Sequence, residues 1–452
     1  MEKTQNRREY MTRTPVPKLI LSLSVPTIIS MLVTAIYNTA DTFFVARVSS
    51  DPAVNTAATA SVGLVFTVMA IIQAFGFFFG HGSGNYLSRM LGAGNHKEAN
   101  EMASTGFAMA LIVGVIFAVA GNIFVQPIAD FLGATPTTMQ FTIDYMRIIL
   151  FGAPFMMAQF VINNQLRFQG SALYAMVGLM CGAAMNMVLD PLLILVFHME
   201  VRGAAIATIM GQITSFVVLL IGTSRGENIK MSIKNVRINA HYMLELVNGG
   251  APSLFRQGLA SISTLLLNRT AGAIGSDAAI AGMSVAGRIM LMMGSALIGF
   301  GQGYQPVCSF NYGAGLTKRV KEGYIFCVKY STIFLIGIGA VCFVFAPQII
   351  SLFSKDPAAI EVGVAALRFM AAAQPLSGAI VISNMMLQSI GKGLKASITA
   401  SARNGICFIP LILILPQFLG IRGVEMTQAC ADVLSLFIAV PMALSELKNF
   451  KD

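Results

Sequence analysis

Charged side chains are scarce in this chain. They make up 11% of its 452 residues, against about 25% in soluble domains. With 56% hydrophobic residues and a mean hydropathy of +0.73, the composition excludes an ordinary water-soluble fold. Paired-cysteine motifs are missing as well. Cys181, Cys308, Cys327, Cys342, Cys407 and Cys430 stand in or beside apolar stretches without CxxC spacing, which argues for reduced, buried thiols and against a disulfide frame or metal site. There is no GxxxxGK[ST] and no HExxH, and the lone serine of HGSGN at 81–85 has no nearby triad. An enzyme is therefore disfavoured, and no cofactor is expected. His81 is placed at a helix end. The apolar run after the basic N-terminus is too long for a signal-peptide core and lacks a clear cleavage site, so it is expected to be retained.

What is present is a series of twelve apolar stretches, near 18–46, 54–81, 99–121, 138–162, 172–197, 203–223, 242–268, 278–304, 322–345, 359–386, 396–418 and 421–445. Most reach the roughly 20 residues that a spanning helix requires. With the N-terminus inside, the outer segments hold only Arg47, Arg202, Arg269, Lys355 and Arg422. The inner segments take Lys3, Arg7, Arg8, Arg13 and Lys18, then Arg89, Lys97 and Arg167, and most of the later loop lysines and arginines. The positive-inside rule thus puts both termini in the cytoplasm and turns the net charge of +10 into a topology signal. A nucleic-acid partner is disfavoured, because the basic residues are spread over many short loops.

The chain also repeats itself at an offset near 220. RMLGAGNHKEANE at 89–101 matches FNYGAGLTKRVKE at 310–322, Arg202-Gly203 matches Arg422-Gly423, Pro127 matches Pro347, and Pro26 lies near the place of Pro252. Each half has an even number of spans, so the halves share one orientation. Parallel repeats of this kind are a transporter architecture. The expected fold is all-α and integral to the membrane, with 12 transmembrane helices in two parallel six-helix pseudo-repeats around a central cavity. An N-terminal lobe covers 1–222, a cytoplasmic linker 223–240 and a C-terminal lobe 241–452. The glycines of the two GAG turns are expected to adopt positive φ.

Asp41 stands out inside the first apolar run. A carboxylate at that depth costs about 2.5–3.5 kcal/mol on insertion scales, so it marks a working site or a fixed partner. Asp190, Tyr145 and Thr208 fall at a similar depth by residue count. Asn186 shares a helical face with Asp190, as Tyr37 and Asn38 do with Asp41. Two carboxylates close together in low dielectric disfavour double ionisation, so one can hold a proton. The same acids with the Asn186 amide and Thr208 hydroxyl also make a hard-oxygen set for Na+. The alternative is that the acids only join helices by hydrogen bonds. Arg147 lies nearby, and Asp144 at i−3 is expected to neutralise it. Arg403 and Asp432 are expected to form a structural ion pair.

Cavity-facing stripes are read at Gln159/Asn163, Thr208/Gln212/Ser215 and Gln257/Ser261/Thr264/Asn268, with helix–helix hydrogen bonding as the other reading. Arg256, Arg288 and Arg368 are weaker candidates for substrate contact. Pro26 and Pro191 are the candidate gating kinks.

The opening LSLSVPTIISMLVTAIYNTADTFFVARV, the repeated GAG turns and NMVLDPLLIL resemble the multidrug and toxic compound extrusion (MATE) family, its DinF branch and, within it, the MepA-like bacterial multidrug exporters. The resemblance covers nearly the whole chain. It implies efflux of bulky, often cationic, aromatic compounds driven by H+ or Na+ entry, with rocker-switch alternating access in a bacterial plasma (inner) membrane. Asp41, Tyr145, Asn186, Asp190 and Thr208 occupy the positions of the DinF-type cation or proton site. A monomer is expected, with lipid and small molecules as its partners. A flippase for a lipid-linked or amphiphilic substrate is the alternative, disfavoured because the outer polar cluster is acidic. The acids that NorM-type relatives place in spans seven and ten are missing, since Glu245 and Glu361 lie at span ends.

Overall fold

The computed structural model describes residues 2–45, 51–226, 228–275 and 277–450, with the side chains of 2–6, 35–43, 52 and 277 outside the description. Arg47 lies outside the described residues. Among the described residues twelve long helices account for most of the chain: α1 (Val16–Val45), α2 (Pro52–Ala93), α3 (His96–Ile123), α4 (Met139–Phe168), α5 (Ala172–Val196) and α6 (Glu200–Ser224) in the first half. The second half contains α7 (Ala240–Ile274), α8 (Asp277–Gly313), α9 (Thr317–Val344), α10 (Pro357–Ser389), α11 (Gly393–Leu419) and α12 (Ile421–Lys448). Each matches one apolar stretch of the sequence, and no strand occurs among the described residues. Eleven are long and apolar enough to cross a bilayer on length and composition; α7, which carries Glu245, Arg256 and Arg269, is the exception. The protein is a multi-pass membrane protein. The fifth helix of each half contains a π turn, at Leu192–Val196 directly after Pro191 and at Ala402–Ile406.

Several helices run on past the apolar stretches that mark them. α2 continues to Ala93, so His81 is inside it and fully buried, not at a helix end. The extension is held by contacts that hydropathy cannot register: Ser83 and Asn85 donate to the carbonyls of Phe79 and His81, and the His81 ring stacks on Phe77. Two arginines assigned to inner loops are also drawn into the packing. Arg167 ends α4 with 4% exposure, and Arg89 lies in α2 with 8%.

Both ends of the chain gather on one side of the bundle, where Arg7 donates to Ser171 and Asn228, and Tyr312 packs on Phe450. We call this the basic end. Here the halves meet backbone to backbone. A Cβ on Gly92 would lie 2.0 Å from the Phe310 carbonyl oxygen, and one on Gly313 would lie 1.9 Å from that of Arg89. Residues 89 and 92 correspond to 310 and 313 at a shift of 221 (310 − 89 and 313 − 92), so these contacts exchange under a pseudo-twofold axis between α2 and α8. The flanking crossings follow the same logic: Gly82 lies against Leu246, and Gly303 against Ser24. The second glycine of each GAG turn has positive φ, 82° at Gly94 and 75° at Gly315, as the turn requires. The first glycine has a different task, which is close approach.

Polar bonds cross the same interface. Arg89 pairs with Glu245 at 2.8 Å and donates to the Ser389 carbonyl at 3.2 Å. Arg167 reaches Gln302, and Ser24 donates to the Phe300 carbonyl. A helix at Glu2–Arg13 caps this end, with Met11 fully buried and its carbonyl accepting from Asn311. The connection between the halves lies along the first half through Ile229 N–H to Gln169 and Arg237 N–H to Thr105.

Gly313→Val should destabilise the protein by about 3 kcal/mol or more, because backbone cannot yield as a side chain tip can. Thermal unfolding in detergent measures this, and an unchanged midpoint would contradict the contact.

Candidate functional site

Inside the first half, α4, α5 and α6 leave a small cavity toward α1 and α2, with a wall part polar and part apolar. Its volume is about 50 Å³, and its wall includes Gln159, Asn163, Asn186, Thr208, Gln212 and Ser215, with Thr34 and Gln73 from the first two helices. The cavity depends on two glycines. A Cβ on Gly182 would meet the Gly211 carbonyl oxygen at 2.6 Å, and one on Gly211 would meet that of Gly182 at 2.8 Å. α5 and α6 therefore touch through backbone, a small-residue contact typical of membrane helices. The longer side chains beside the contact are left to line a void.

The polar groups around this void are partly paired. Gln159 donates to Gln212 across α4 and α6, and Asn163 donates to the Ala175 carbonyl at 2.9 Å. Asn186 donates to Asp190 at 3.4 Å, one turn further along α5. The Asn186 carbonyl oxygen and the Ser215 hydroxyl, both buried, have no partner among the described residues. Asp190 and Tyr145 are fully buried, although neither lines the cavity. The structure thus brings Gln159, Asn163, Asn186, Thr208 and Gln212 to one wall, with Asp190 a turn away.

The other sequence candidates lie elsewhere. The side chains of Asp41, Tyr37 and Asn38 are outside the description; only their place in α1 is given. Gln257, Ser261 and Thr264 lie on α7 in the other half, with Ser261 and Thr264 exposed. Arg288 and Arg368 are exposed. Pro26 is inside α1, and Pro191 precedes the π turn of α5. Asp144 does not neutralise Arg147. It pairs with Arg202 of α6 at 3.0 Å and accepts from Gln140, leaving Arg147 exposed, because the α6 side chain reaches Asp144 from the neighbouring helix. Gly182, Gly211, Thr34 and Gln73 were not singled out by the sequence. The two glycines carried a usable signal, a small residue in each of two consecutive spans.

The second half repeats the scaffold with different contents. Asn384 donates to the Ala396 carbonyl, matching Asn163 and Ala175 at the same shift of 221 (384 − 163 and 396 − 175). Gly182, however, corresponds to Arg403 (shift 221), and Gln212 to Asp432 (shift 220). Arg403 binds both carboxylate oxygens of Asp432, at 2.7 and 3.1 Å, as expected for this pair, and Gln428 and Ser377 also donate to that carboxylate. The position that opens a cavity in one half is closed by an ion pair in the other.

Two like halves of six membrane helices, packed at one end and holding a small cavity lined in part by buried polar side chains, are the architecture of a membrane transporter. The MatE family model matches residues 26–192 and 252–414, one match within each half. The chain belongs to the MatE family of transporters. It is similar to the multidrug export protein MepA of Staphylococcus haemolyticus, with 27% identity covering 97% of this chain and 96% of the relative. The fold is shared with the crystal structure of MATE in complex with MaL6, at a TM-score of 0.91 and 24% identity over 98% of both chains. It is also shared with the outward-facing conformation of a multidrug resistance MATE family transporter of the MOP superfamily, at a TM-score of 0.90 and 24% identity over 100% of this chain and 99% of that one.

Replacing Gln159 by Leu removes the donor that Gln212 uses and should cost about 1–3 kcal/mol, the penalty for a buried acceptor left without its bond. Gln159→Leu/Gln212→Leu should cost less than the sum of the single changes. Thermal midpoints of the four proteins test this, and simple additivity would count against the bond.

Proposed function

We propose that this protein exports cationic and aromatic compounds in exchange for H+ or Na+. In this reading the basic end is cytoplasmic, the membrane is the bacterial inner membrane, and the halves 1–222 and 241–452 act as lobes joined by the linker 223–240. The protein works as a monomer. Asp41, Tyr145, Asn186, Asp190 and Thr208 form the coupling site. Pro26 and Pro191 are the points where α1 and α5 bend.

The observation that carries this reading is a polar void within one half while the two halves are clamped at the basic end. A void of about 50 Å³ takes an ion with its water, whereas drug-sized ligands need about 300–1,000 Å³. Gln159, Asn163 and Gln212 therefore serve the ion, and drug binds between the halves. Clamping at the basic end supports a state open to the outside. Return to the inward-open state then requires Arg89 to leave Glu245 and the Ser389 carbonyl, and Arg167 to leave Gln302. Both arginines are buried, so the exchange must supply them with other partners. Entry of one charge down 100 mV yields about 2.3 kcal/mol, enough for more than a tenfold gradient of a drug without net charge at about 1.4 kcal/mol per decade. A singly cationic drug in one-for-one exchange is driven instead by the concentration gradient of the ion.

The coupling site also explains why ion and drug alternate. Asp190 is fully buried and accepts from the Asn186 amide. Loading an ion beside it recruits the Asn186 and Ser215 oxygens that now lack partners, which draws α5 and α6 together across the void. That movement is passed to the inter-half space by α1, which lines the same void through Thr34.

Ethidium efflux from proteoliposomes under separately imposed H+ and Na+ gradients tests the reading. One gradient should drive efflux, and Asp41→Asn and Asp190→Asn should each lower the driven rate by about tenfold or more, a loss of about 1.4 kcal/mol of coupling. Wild-type rates in both variants would refute the coupling site. No response to either gradient would favour the flippase.

A further inference from the structure

Arg256 is an arginine in mid-helix of α7 with no acid to balance it. Its Nη1 donates to the Asn384 side-chain oxygen at 3.1 Å, and no carboxylate lies within ion-pair distance among the described residues. A guanidinium withdrawn from water without a counter-charge costs several kcal/mol, so an uncompensated one calls for a reason. Three features distinguish Arg256 from the other arginines in the packing. Arg403 is already saturated by Asp432, and Arg89 by Glu245. Arg167 is sealed, with its Nε enclosed. Arg256 alone among these four is half-buried, lacks an acid partner among the described residues and has no nitrogen enclosed without a bond, so the donors that Asn384 does not use keep some accessible surface.

Its position is favourable for a ligand. Gly250 of α7 still lies against the Phe78 carbonyl oxygen of α2, whereas a Cβ on Gly258, the next glycine of α7, would meet nothing within 4 Å. Arg256 lies six residues beyond, about 9 Å further from the basic end. Ser253, one turn before it on the same face, is still fully buried and bonded to Gln388. Arg256 is therefore at the level where the seam between the halves begins to open, on the helix face turned toward α10. Asn384 is itself fixed by bonds to the Ala396 carbonyl at 2.6 Å and the Thr399 hydroxyl at 2.9 Å. The guanidinium is held ready before any ligand arrives.

We propose that Arg256, oriented by Asn384, binds the carboxylate of a zwitterionic or anionic aromatic substrate at the floor of the inter-half space. A planar fork with free N–H groups matches a carboxylate through two parallel bonds. A lipid diphosphate would call for several cations at one site, whereas among the four arginines compared only Arg256 keeps donors unused. Because the first half holds the acids, a zwitterion lies with its cationic part toward that half and its carboxylate toward the second. Arg256 is then a specificity-determining residue that a substrate carrying only a positive charge does not use.

The proposal rests on the export reading, and the test separates the two. Efflux of ethidium, of norfloxacin, which carries an aromatic carboxylate, and of norfloxacin methyl ester is measured in proteoliposomes of wild type, Arg256→Gln and Arg256→Lys at limiting substrate. Arg256→Gln should lower norfloxacin efflux by about tenfold, the loss of a charge-assisted bond, with ethidium and the ester unchanged. Arg256→Lys should recover part of the norfloxacin rate, because the charge remains and the fork does not. An equal loss for all three substrates, or no loss for norfloxacin, would overturn the proposal. So would wild-type transport of ethidium but not norfloxacin, whereas transport of none of the three would overturn the export reading itself.

Discussion

The backbone contact between α2 and α8 governs the arrangement of the rest. Gly92 against Phe310 and Gly313 against Arg89 are one contact made twice, and no residue larger than glycine fits either position. Once these helices touch, α1 must cross α8 and α7 must cross α2, each again through glycine. The polar side chains at this end are then enclosed and must find partners within the protein, since hydrocarbon offers none. They do so across the interface, which is why the bonds of Arg89 and Arg167 join the two halves. A steric condition at two glycines thus becomes an electrostatic seal.

The spans and the repeat were legible in the sequence because both are periodic. Helix ends were less so. Residue-by-residue hydropathy treats His81, Ser83, Asn85 and Ser88 as leaving the membrane, whereas all four are fully buried, and His81, Ser83 and Ser88 touch neighbouring helices through Phe168, Gln165 and the Pro306 carbonyl. In the site, Asn186, Asp190, Thr208, Gln159 and Gln212 were visible because polar groups at helical spacing stand out in an apolar background. Gly182 and Gly211 were not, because a glycine acts through what it allows to approach. The pairing of Asp144 could not be read locally either. Arg147 is its neighbour along the helix, but Arg202 reaches it from an adjacent one, and adjacency is a property of the fold.

The halves keep a common skeleton and differ in chemistry. Asn163 and Asn384 make the same bond to the helix that follows, so the frame around them is the same. Within that frame Gly182 opens a void, and Arg403 with Asp432 fills one. A saturated ion pair is a poor place for a mobile ion, since each oxygen of Asp432 is already occupied. In the proposed reading the first half binds and releases the ion, while the second offers a fixed wall in which Arg256 has no acid partner among the described residues.

The N-terminal helix has a consequence for how the chain is made. Its Met11 is buried against α8, its carbonyl accepts from Asn311, and Arg319 donates to the Thr14 carbonyl at 2.6 Å. These partners are synthesised some 300 residues later (311 − 11). This helix is therefore made well before part of its seat, and its contacts with α8 and α9 do not exist until the second half has entered the membrane. Assembly of the first half alone leaves this helix with its bonds to Ser171 and Asn228 but without those to Asn311 and Arg319, so its full docking follows completion of the second half.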